Sequence, residues 1–79
     1  MKISVIYFAG LREKAGIASE EIETSGATLG DLYEQLRERH QFSHRLEHIK
    51  FARQNDFCRS SEPISQGDSI LIMPPVSGG

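Results

Sequence analysis

The chain has 79 residues, of which 38% are hydrophobic and 25% charged, a globular composition that excludes an extended disordered chain. The formal net charge is −2 with both signs interspersed, so we expect no basic footprint for nucleic acid. No apolar run reaches the length of a membrane span, and no targeting segment is predicted. The single cysteine, Cys58, excludes an internal disulfide. These features together predict one small domain in the reducing cytosol.

The first third of the chain predicts two strands joined by a short helix. Residues 3–8 are β-branched and aromatic, and this nearly continuous apolar run favours a central strand covered on both faces. Residues 11–16 combine helix formers with a final glycine, which predicts one or two helical turns. Residues 17–24 are rich in glutamate and are typical of an edge strand.

The clearest predicted element is a helix over residues 29–40. Thr28 is a favourable N-cap, and Asp31 three positions later approximates a capping box. Apolar residues at positions i, i+3, i+4 and i+7 form a stripe that is expected to face a sheet, namely Leu29, Leu32, Tyr33 and Leu36. Because the stripe stops there, the helix is predicted to end near His40.

The remaining elements complete an α+β roll of the β-grasp type. Residues 49–53 alternate like a strand, and residues 56–58 are predicted to pair back on them through a turn at Gln54 and Asn55. Residues 69–73 form the final strand. This order predicts a mixed sheet of four to five strands with one main helix on one face. The first and last strands are the most apolar, so we expect them to pair in parallel at the centre, with the helix in the crossover.

The domain is predicted to span residues 1–73, followed by an extended tail over residues 74–79. Pro74 and Pro75 cannot continue a strand ladder, so the last strand should end at Met73. Gly78 and Gly79 have no side chains, and the terminal carboxylate is expected to stand clear of the fold. The alternative is that the terminus simply frays.

Strand alternation predicts an apolar patch on the face that the helix does not cover. If Ile70 and Ile72 point to the helix, their neighbours point to the opposite face. The alternative is that loops bury these residues or that the orientation is reversed. An uncovered apolar patch on so small a protein is a candidate partner site. The predicted patch consists of Phe8, Phe57, Leu71 and Met73.

Two other features suggest different chemistry. His40, His44 and His48 would align three imidazoles as metal ligands on one continuous helix. A solvated loop or frayed helix end is favoured instead, because the apolar stripe ends before them, and no metal is expected. Cys58 could be a persulfide-carrying nucleophile, but it lacks a CxxC partner, and only Arg59 is an adjacent cation. A packing role is therefore favoured for the cysteine.

Three segments resemble the small subunits of molybdopterin synthase, in the MoaD and ThiS sulfur-carrier group. They are Tyr7-Phe8-Ala9-Gly10-Leu11-Arg12-Glu13-Lys14-Ala15-Gly16, Gln66-Gly67-Asp68 and Pro74-Pro75-Val76-Ser77-Gly78-Gly79. The resemblance spans essentially the whole chain. It departs from the group at Gln54, where many relatives carry asparagine.

The resemblance implies a carrier, in molybdenum cofactor biosynthesis, that holds sulfur on its own terminus. The Gly79 carboxylate would be adenylated, converted to a thiocarboxylate, and used to donate sulfur to the cyclic pterin precursor, while Gly78 keeps the tail narrow. No cofactor would be bound permanently, and ATP would be used by the activating enzyme. The implied partners are a MoaE-like large subunit forming a heterotetramer, a MoeB-like activating enzyme and a sulfur donor such as a cysteine desulfurase. The residues expected to contact partners are Phe8, Arg12, Phe57, Leu71, Met73, Pro74, Pro75, Val76 and Ser77.

Alternatives remain open at this point. Within the same class, the chain could be a thiamine-pathway carrier or a ubiquitin-like modifier that attaches to lysines. From a different class, it could be a non-covalent interaction module with an inert tail. Arg12 could equally be an ordinary charge on a helix surface.

Overall fold

A computed structural model describes residues 1–54 and 56–75. The turn residue Asn55 and the predicted tail residues 76–79 lie outside this part of the chain. The predicted order of elements is confirmed, and each boundary lies within two residues of its expected place. The elements are β1 (Lys2–Tyr7), α1 (Ala9–Ala15), β2 (Ser19–Glu23), α2 (Leu29–His40), a short 3-10 turn (Leu46–His48), β3 (Lys50–Arg53), β4 (Asp56–Cys58) and β5 (Ser69–Met73).

The five strands form one mixed sheet in the order β2-β1-β5-β3-β4. β1 and β5 pair in parallel, with Val5 opposite Ile70, whereas the other neighbouring strands are antiparallel. The predicted central pairing of the first and last strands is therefore confirmed, as is the edge position of β2. With α2 packed on one face, this is the expected β-grasp arrangement.

Helix α2 begins and ends at caps that the sequence encodes. Thr28 Oγ1 accepts a hydrogen bond from the Asp31 amide at 3.2 Å, and Asp31 Oδ2 accepts one from the Thr28 amide at 3.2 Å. Backbone amides of Ala27 and Thr28 bonded to Asp31 lower the pKa of its carboxyl. At the other end, Gln41 adopts a left-handed backbone with φ 60°, and its amide bonds to the Arg37 carbonyl. These caps satisfy backbone groups that the helix ends would leave unpaired.

The core lies between α2 and one face of the sheet. The helix stripe is fully buried, and so are Val5, Ile70 and Ile72 on the facing strands. Leu11 of α1 joins the same cluster, so both helices contribute to a single core. One expectation is wrong: β1 is not covered on both faces, because Ile6 on the other face remains only half-buried. The continuous apolar run instead leaves apolar surface on the uncovered side.

Candidate functional site

The open face of the sheet carries an apolar patch. Phe57 is 73% exposed and Phe8 is 42% exposed, whereas Leu71 and Met73 are half-buried. The predicted orientation of the strands is confirmed, because Ile70 and Ile72 are buried on the opposite face. Strand register adds two residues that the prediction did not include, since Leu71 lies opposite Ile6 on one side and Ala52 on the other. We call this surface the open-face patch: Ile6, Phe8, Ala52, Phe57, Leu71 and Met73.

The tail leaves the sheet from its central strand, beside this patch. Met73 is the last residue of β5 and lies opposite Lys50, the first residue of β3. On the other side, the Phe8 amide donates to the Ile72 carbonyl at 3.2 Å. We call this end of the sheet the tail edge. Pro74 and Pro75 continue from it outside the strand and are half-buried.

Four predicted site residues, Val76, Ser77, Gly78 and Gly79, lie outside the described residues, so their roles stay predictions. The partner contacts expected at Phe8, Arg12, Phe57, Leu71, Met73, Pro74 and Pro75 also stay predictions. What the structure provides is their placement. Phe8, Met73 and the two prolines lie at the tail edge, whereas Leu71 and Phe57 lie further along the open face. Arg12 lies on α1, which begins at the tail edge.

Helix α1 begins in an unusual backbone conformation that turns the chain away from β1. Ala9 has φ 51°, in the left-handed region that residues with a Cβ rarely adopt. The Leu11 amide then bonds to the Phe8 carbonyl at 3.1 Å, and Leu11 is buried in the core. Arg12, one position later, is exposed. It forms no ion pair with any other residue in ranges 1–54 and 56–75.

A partly buried carboxylate, that of Glu20, joins β1, β2 and α2. Glu20 Oε2 accepts a hydrogen bond from the Tyr7 hydroxyl at 2.5 Å and lies 2.6 Å from His40 Nε2. Arg39 Nη2 lies 3.5 Å from Glu20 Oε1. Burial raises the pKa of the Tyr7 hydroxyl, and the bond to Glu20 raises it further. Burial also raises the pKa of Glu20, but the hydrogen bonds from Tyr7 and His40, together with the nearby positive charge, outweigh it and lower that pKa.

Sequence reasoning missed this cluster. The sequence predicts Glu20 only as part of a glutamate-rich edge strand, and it predicts His40 in a solvated loop or at a frayed helix end. The structure corrects the second expectation, because the His40 side chain is only 13% exposed. The sequence did contain an indication of the inward orientation of Glu20. Side chains alternate along a strand, so Glu20 lies on the same face of β2 as the buried Ile22.

The three histidines do not align on one helix. His40 ends α2, His44 lies in the following loop, where its carbonyl accepts the Tyr33 hydroxyl at 2.6 Å, and His48 lies in the 3-10 turn. Within residues 1–54 and 56–75, no group of three His, Cys, Asp or Glu side chains is placed to hold a metal ion. The arrangement on which the metal alternative depended is therefore not formed.

Cys58 packs partly against the core, as expected for a packing residue. It lies opposite Phe51 in the sheet. Its sulfur accepts a hydrogen bond from Arg53 Nη1 at 3.9 Å, a contact that the sequence did not suggest. Arg53 is also bound to the Pro63 carbonyl at 2.9 Å and to Asp68 at 3.1 Å. Arg53 therefore ties the loop before β5 to the sheet.

None of the helices in the described ranges has the length and apolar character needed to cross a membrane.

Comparison with known proteins gives consistent matches over the full chain. Residues 5–79 match the ThiS family. The chain is 35% identical to a molybdopterin synthase sulfur carrier subunit from Chlamydomonas reinhardtii, with 100% of each chain covered. Among solved structures, SAMP1 from Haloferax volcanii superposes with a TM-score of 0.79 at 29% identity, also with 100% of both chains covered.

A further structural match comes from a two-protein assembly. The chain is similar to one in the complex of subunits 1 and 2 of the molybdopterin-converting factor from Helicobacter pylori. The TM-score is 0.67 at 25% identity, with 100% of both chains covered. These matches agree with the β-grasp fold described above. The chain belongs to the ThiS family.

Proposed function

We propose that this chain is a sulfur carrier for molybdopterin synthesis and that the Gly79 carboxylate is its working group. The observation that carries the proposal is the exit of the tail. The buried central strand β5 leads directly into Pro74 and Pro75, beside an uncovered apolar patch. A rigid base of this kind limits where the tail can point. The identity to the Chlamydomonas reinhardtii carrier subunit over the whole chain supports the same conclusion.

The chemistry begins with activation of the carboxylate. A terminal carboxyl with a pKa of about 3.3–3.7 is an anion at neutral pH and a poor electrophile. In an activating enzyme, its oxygen attacks the α-phosphorus of ATP, pyrophosphate leaves, and an acyl-adenylate forms. Sulfide, supplied by a sulfur donor such as a cysteine desulfurase system, then attacks the acyl carbon. A C–S bond forms, the C–O bond to AMP breaks, and Gly79 carries a thiocarboxylate.

The thiocarboxylate then delivers its sulfur inside the synthase large subunit. Its sulfur attacks an electrophilic carbon of the pterin precursor, a C–S bond forms, and the C–O bond to an oxygen substituent of that carbon breaks. Water then hydrolyses the acyl–sulfur bond, which leaves the sulfur on the pterin and returns the carboxylate for another cycle. Two such transfers supply the two sulfurs of the dithiolene. Gly78 and Gly79 make the tail narrow enough to enter both partner active sites. The similarity to a chain in the complex of subunits 1 and 2 from Helicobacter pylori supports the synthase large subunit as a partner.

A second candidate is a protein modifier, and the similarity to SAMP1 of Haloferax volcanii, whose name stands for small archaeal modifier protein 1, favours it. The modifier would share the adenylation step, but a lysine amine of a target protein would then attack the activated carbonyl in place of sulfide. Intact mass separates the two after co-expression with an activating enzyme and a sulfur donor. A carrier gains the mass difference between a sulfur and an oxygen atom, whereas a modifier appears in isopeptide-linked conjugates. Neither product is expected if the chain is a non-covalent module.

Extending the chain by one residue after Gly79 tests the working group directly. The Gly79 carboxylate becomes a peptide carbonyl, and the new carboxylate lies about 3.5 Å further along an extended chain. Because reacting groups must be held closely, we expect thiocarboxylate formation and molybdopterin synthesis to be lost. Thermal unfolding and binding to the large subunit serve as controls and should change little. Full activity of the extended protein, without proteolytic trimming, would show that the tail is not the working group.

A further inference from the structure

A groove beside edge strand β4 is not used by the chemistry proposed above. Its cavity has a volume of about 500 Å³ and lies between the 3-10 turn, the start of β3 and the end of β4. Its apolar wall is formed by Leu46, Ile49, Phe51 and Phe57. Phe57 is the most exposed large apolar side chain in the described part of the chain. Since Phe57 also belongs to the open-face patch, the groove and the patch form a continuous surface.

Charge distinguishes this groove from an ordinary surface depression. Lys50 and Arg59 line it, and both are exposed. Neither side chain forms an ion pair with another residue in the described ranges. The one carboxylate in the lining, Glu47, lies 3.4 Å from Arg45 Nη2, whose positive charge offsets it. The groove of this net-acidic chain is therefore basic.

The backbone beside the groove is also open to a partner. β4 is the last strand in the sheet order, so one of its edges pairs with no described strand. It has only three residues, Asp56–Cys58. Such a short edge is a poor template for aggregation but can accept a short extended segment by strand addition.

We infer that the groove binds an extended segment of a partner protein that carries apolar side chains flanked by carboxylates. The apolar side chains occupy the wall around Phe57, and the carboxylates pair with Lys50 and Arg59. The inference deepens the proposed function, on which the identity of the partner rests, because the groove opens near the edge from which the tail leaves. A partner that receives the tail can contact the groove at the same time. The binding step itself requires no sulfur chemistry.

A nuclear magnetic resonance titration of the full-length chain tests the inference without a known partner. The probe is a peptide with a central Ile-Val-Leu flanked by two aspartates on each side, and the control peptide has lysines in place of the aspartates. We expect the acidic peptide to shift amide resonances of residues 46–60. The lysine peptide should leave them unchanged at the same concentration.

Charge variants identify the site. The double variant Lys50→Glu with Arg59→Glu should weaken binding of the acidic peptide by about tenfold at low ionic strength. The difference should shrink near 1 M salt, where the Debye length is about 3 Å. Lys2→Glu is the matched control and should leave the affinity unchanged, because this exposed lysine begins β1, which is separated from β4 by β5 and β3. If the charge reversals perturb folding, the double alanine variant replaces them.

Equal binding of both peptides, or shifts outside residues 46–60, would overturn the inference. So would an affinity that does not depend on Lys50 and Arg59. These outcomes are distinct from failure of the proposed function. The thiocarboxylate mass test uses the chain with its groove unchanged, so its result does not depend on the outcome of the peptide titration. The titration requires no activating enzyme or sulfur donor, so absence of a thiocarboxylate leaves it unaffected.

Discussion

Phe8 and Met73 expose apolar surface where the tail leaves the sheet, and the proposed carrier function gives them a binding role. We predict that Met73→Arg or Phe8→Asp weakens binding to the large subunit and to the activating enzyme. An unpaired charge in a desolvated interface costs about 3–5 kcal/mol. Titration calorimetry with each partner measures the loss. Glu38→Arg, on the solvent side of α2, is the control for a change of charge away from the patch. Unchanged titration curves for the two patch variants would remove the patch from the interface.

Cys58 should not carry the sulfur. The side chain packs partly against the core, so Cys58→Ser should lower the free energy of unfolding by about 1 kcal/mol. Because sulfur is proposed to be held at Gly79, a pre-formed thiocarboxylate of this variant should support molybdopterin synthesis as the unchanged protein does. The measurement is product formed per carrier added. A complete loss of product in a folded variant would argue against the carboxylate mechanism.

The end of α2 gives a stability prediction at the scale of a single element. Gln41 holds a left-handed backbone with φ 60°, which glycine adopts without steric cost. We expect Gln41→Gly to raise the free energy of unfolding by about 0.5–1 kcal/mol. Gln35→Gly is the matched control. It replaces an exposed glutamine inside the same helix, where glycine costs about 1 kcal/mol. Urea denaturation measures both changes, and the prediction fails if they have the same sign.

Helices and strands with a clear periodicity were predicted from sequence, whereas local features that depend on tertiary contacts were not. The bounds of α2 and β5 were predicted correctly, because the helix carries both a cap and an apolar stripe and the strand stops at a proline. The start of α1 at Ala9 was missed, since a left-handed alanine is not a pattern that propensity predicts. Coverage of β1 on both faces was also predicted wrongly. Apolar content alone does not distinguish a buried face from a face left open for a partner.

In the candidate site, too, features set by strand periodicity were predicted and features set by tertiary contacts were not. The open-face patch followed from strand alternation, because the period of two fixes which side chains share a face. The cluster of Tyr7, Glu20 and His40 was not predicted, since its members come from three elements. Their meeting depends on the β1–β2 register and on where α2 ends. The basic character of the groove beside β4 also depends on tertiary structure, because Lys50 begins β3 and Arg59 follows β4.

For the whole molecule, the lowered pKa of Glu20 predicts how the free energy of unfolding depends on pH. Its pKa in the folded protein is lowered from an ordinary value of 4.5. A lowered pKa means that the ionised form stabilises the fold. The stabilisation is complete above the unfolded pKa and is lost as the pH falls through the folded pKa. Stability should therefore decrease below about pH 4.5, as Glu20 takes up a proton.

Glu20→Gln separates this contribution from those of the other carboxyl groups. Loss of a charged acceptor should lower the free energy of unfolding by about 1.5–3 kcal/mol near pH 7, and the difference should diminish in acid. Urea denaturation between pH 3 and pH 7 measures both quantities. Glu34→Gln is the control, because Glu34 forms only an exposed pair with Arg37 and should have little effect. Parallel curves for Glu20→Gln and the unchanged protein would contradict the role given to Glu20.

The parallel pairing of β1 with β5 also determines when the protein can fold during its synthesis. Val5 pairs with Ile70, so the central strand β5 cannot join β1 until positions 69–73 have left the ribosome. The β1–β2 pair alone is marginally stable in water, and distant pairings form slowly. A nascent chain that stalls before β5 therefore has no stable core and is a substrate for proteases. Partners that recognise the assembled open face thus encounter only chains whose translation has continued through the strand that leads into the tail.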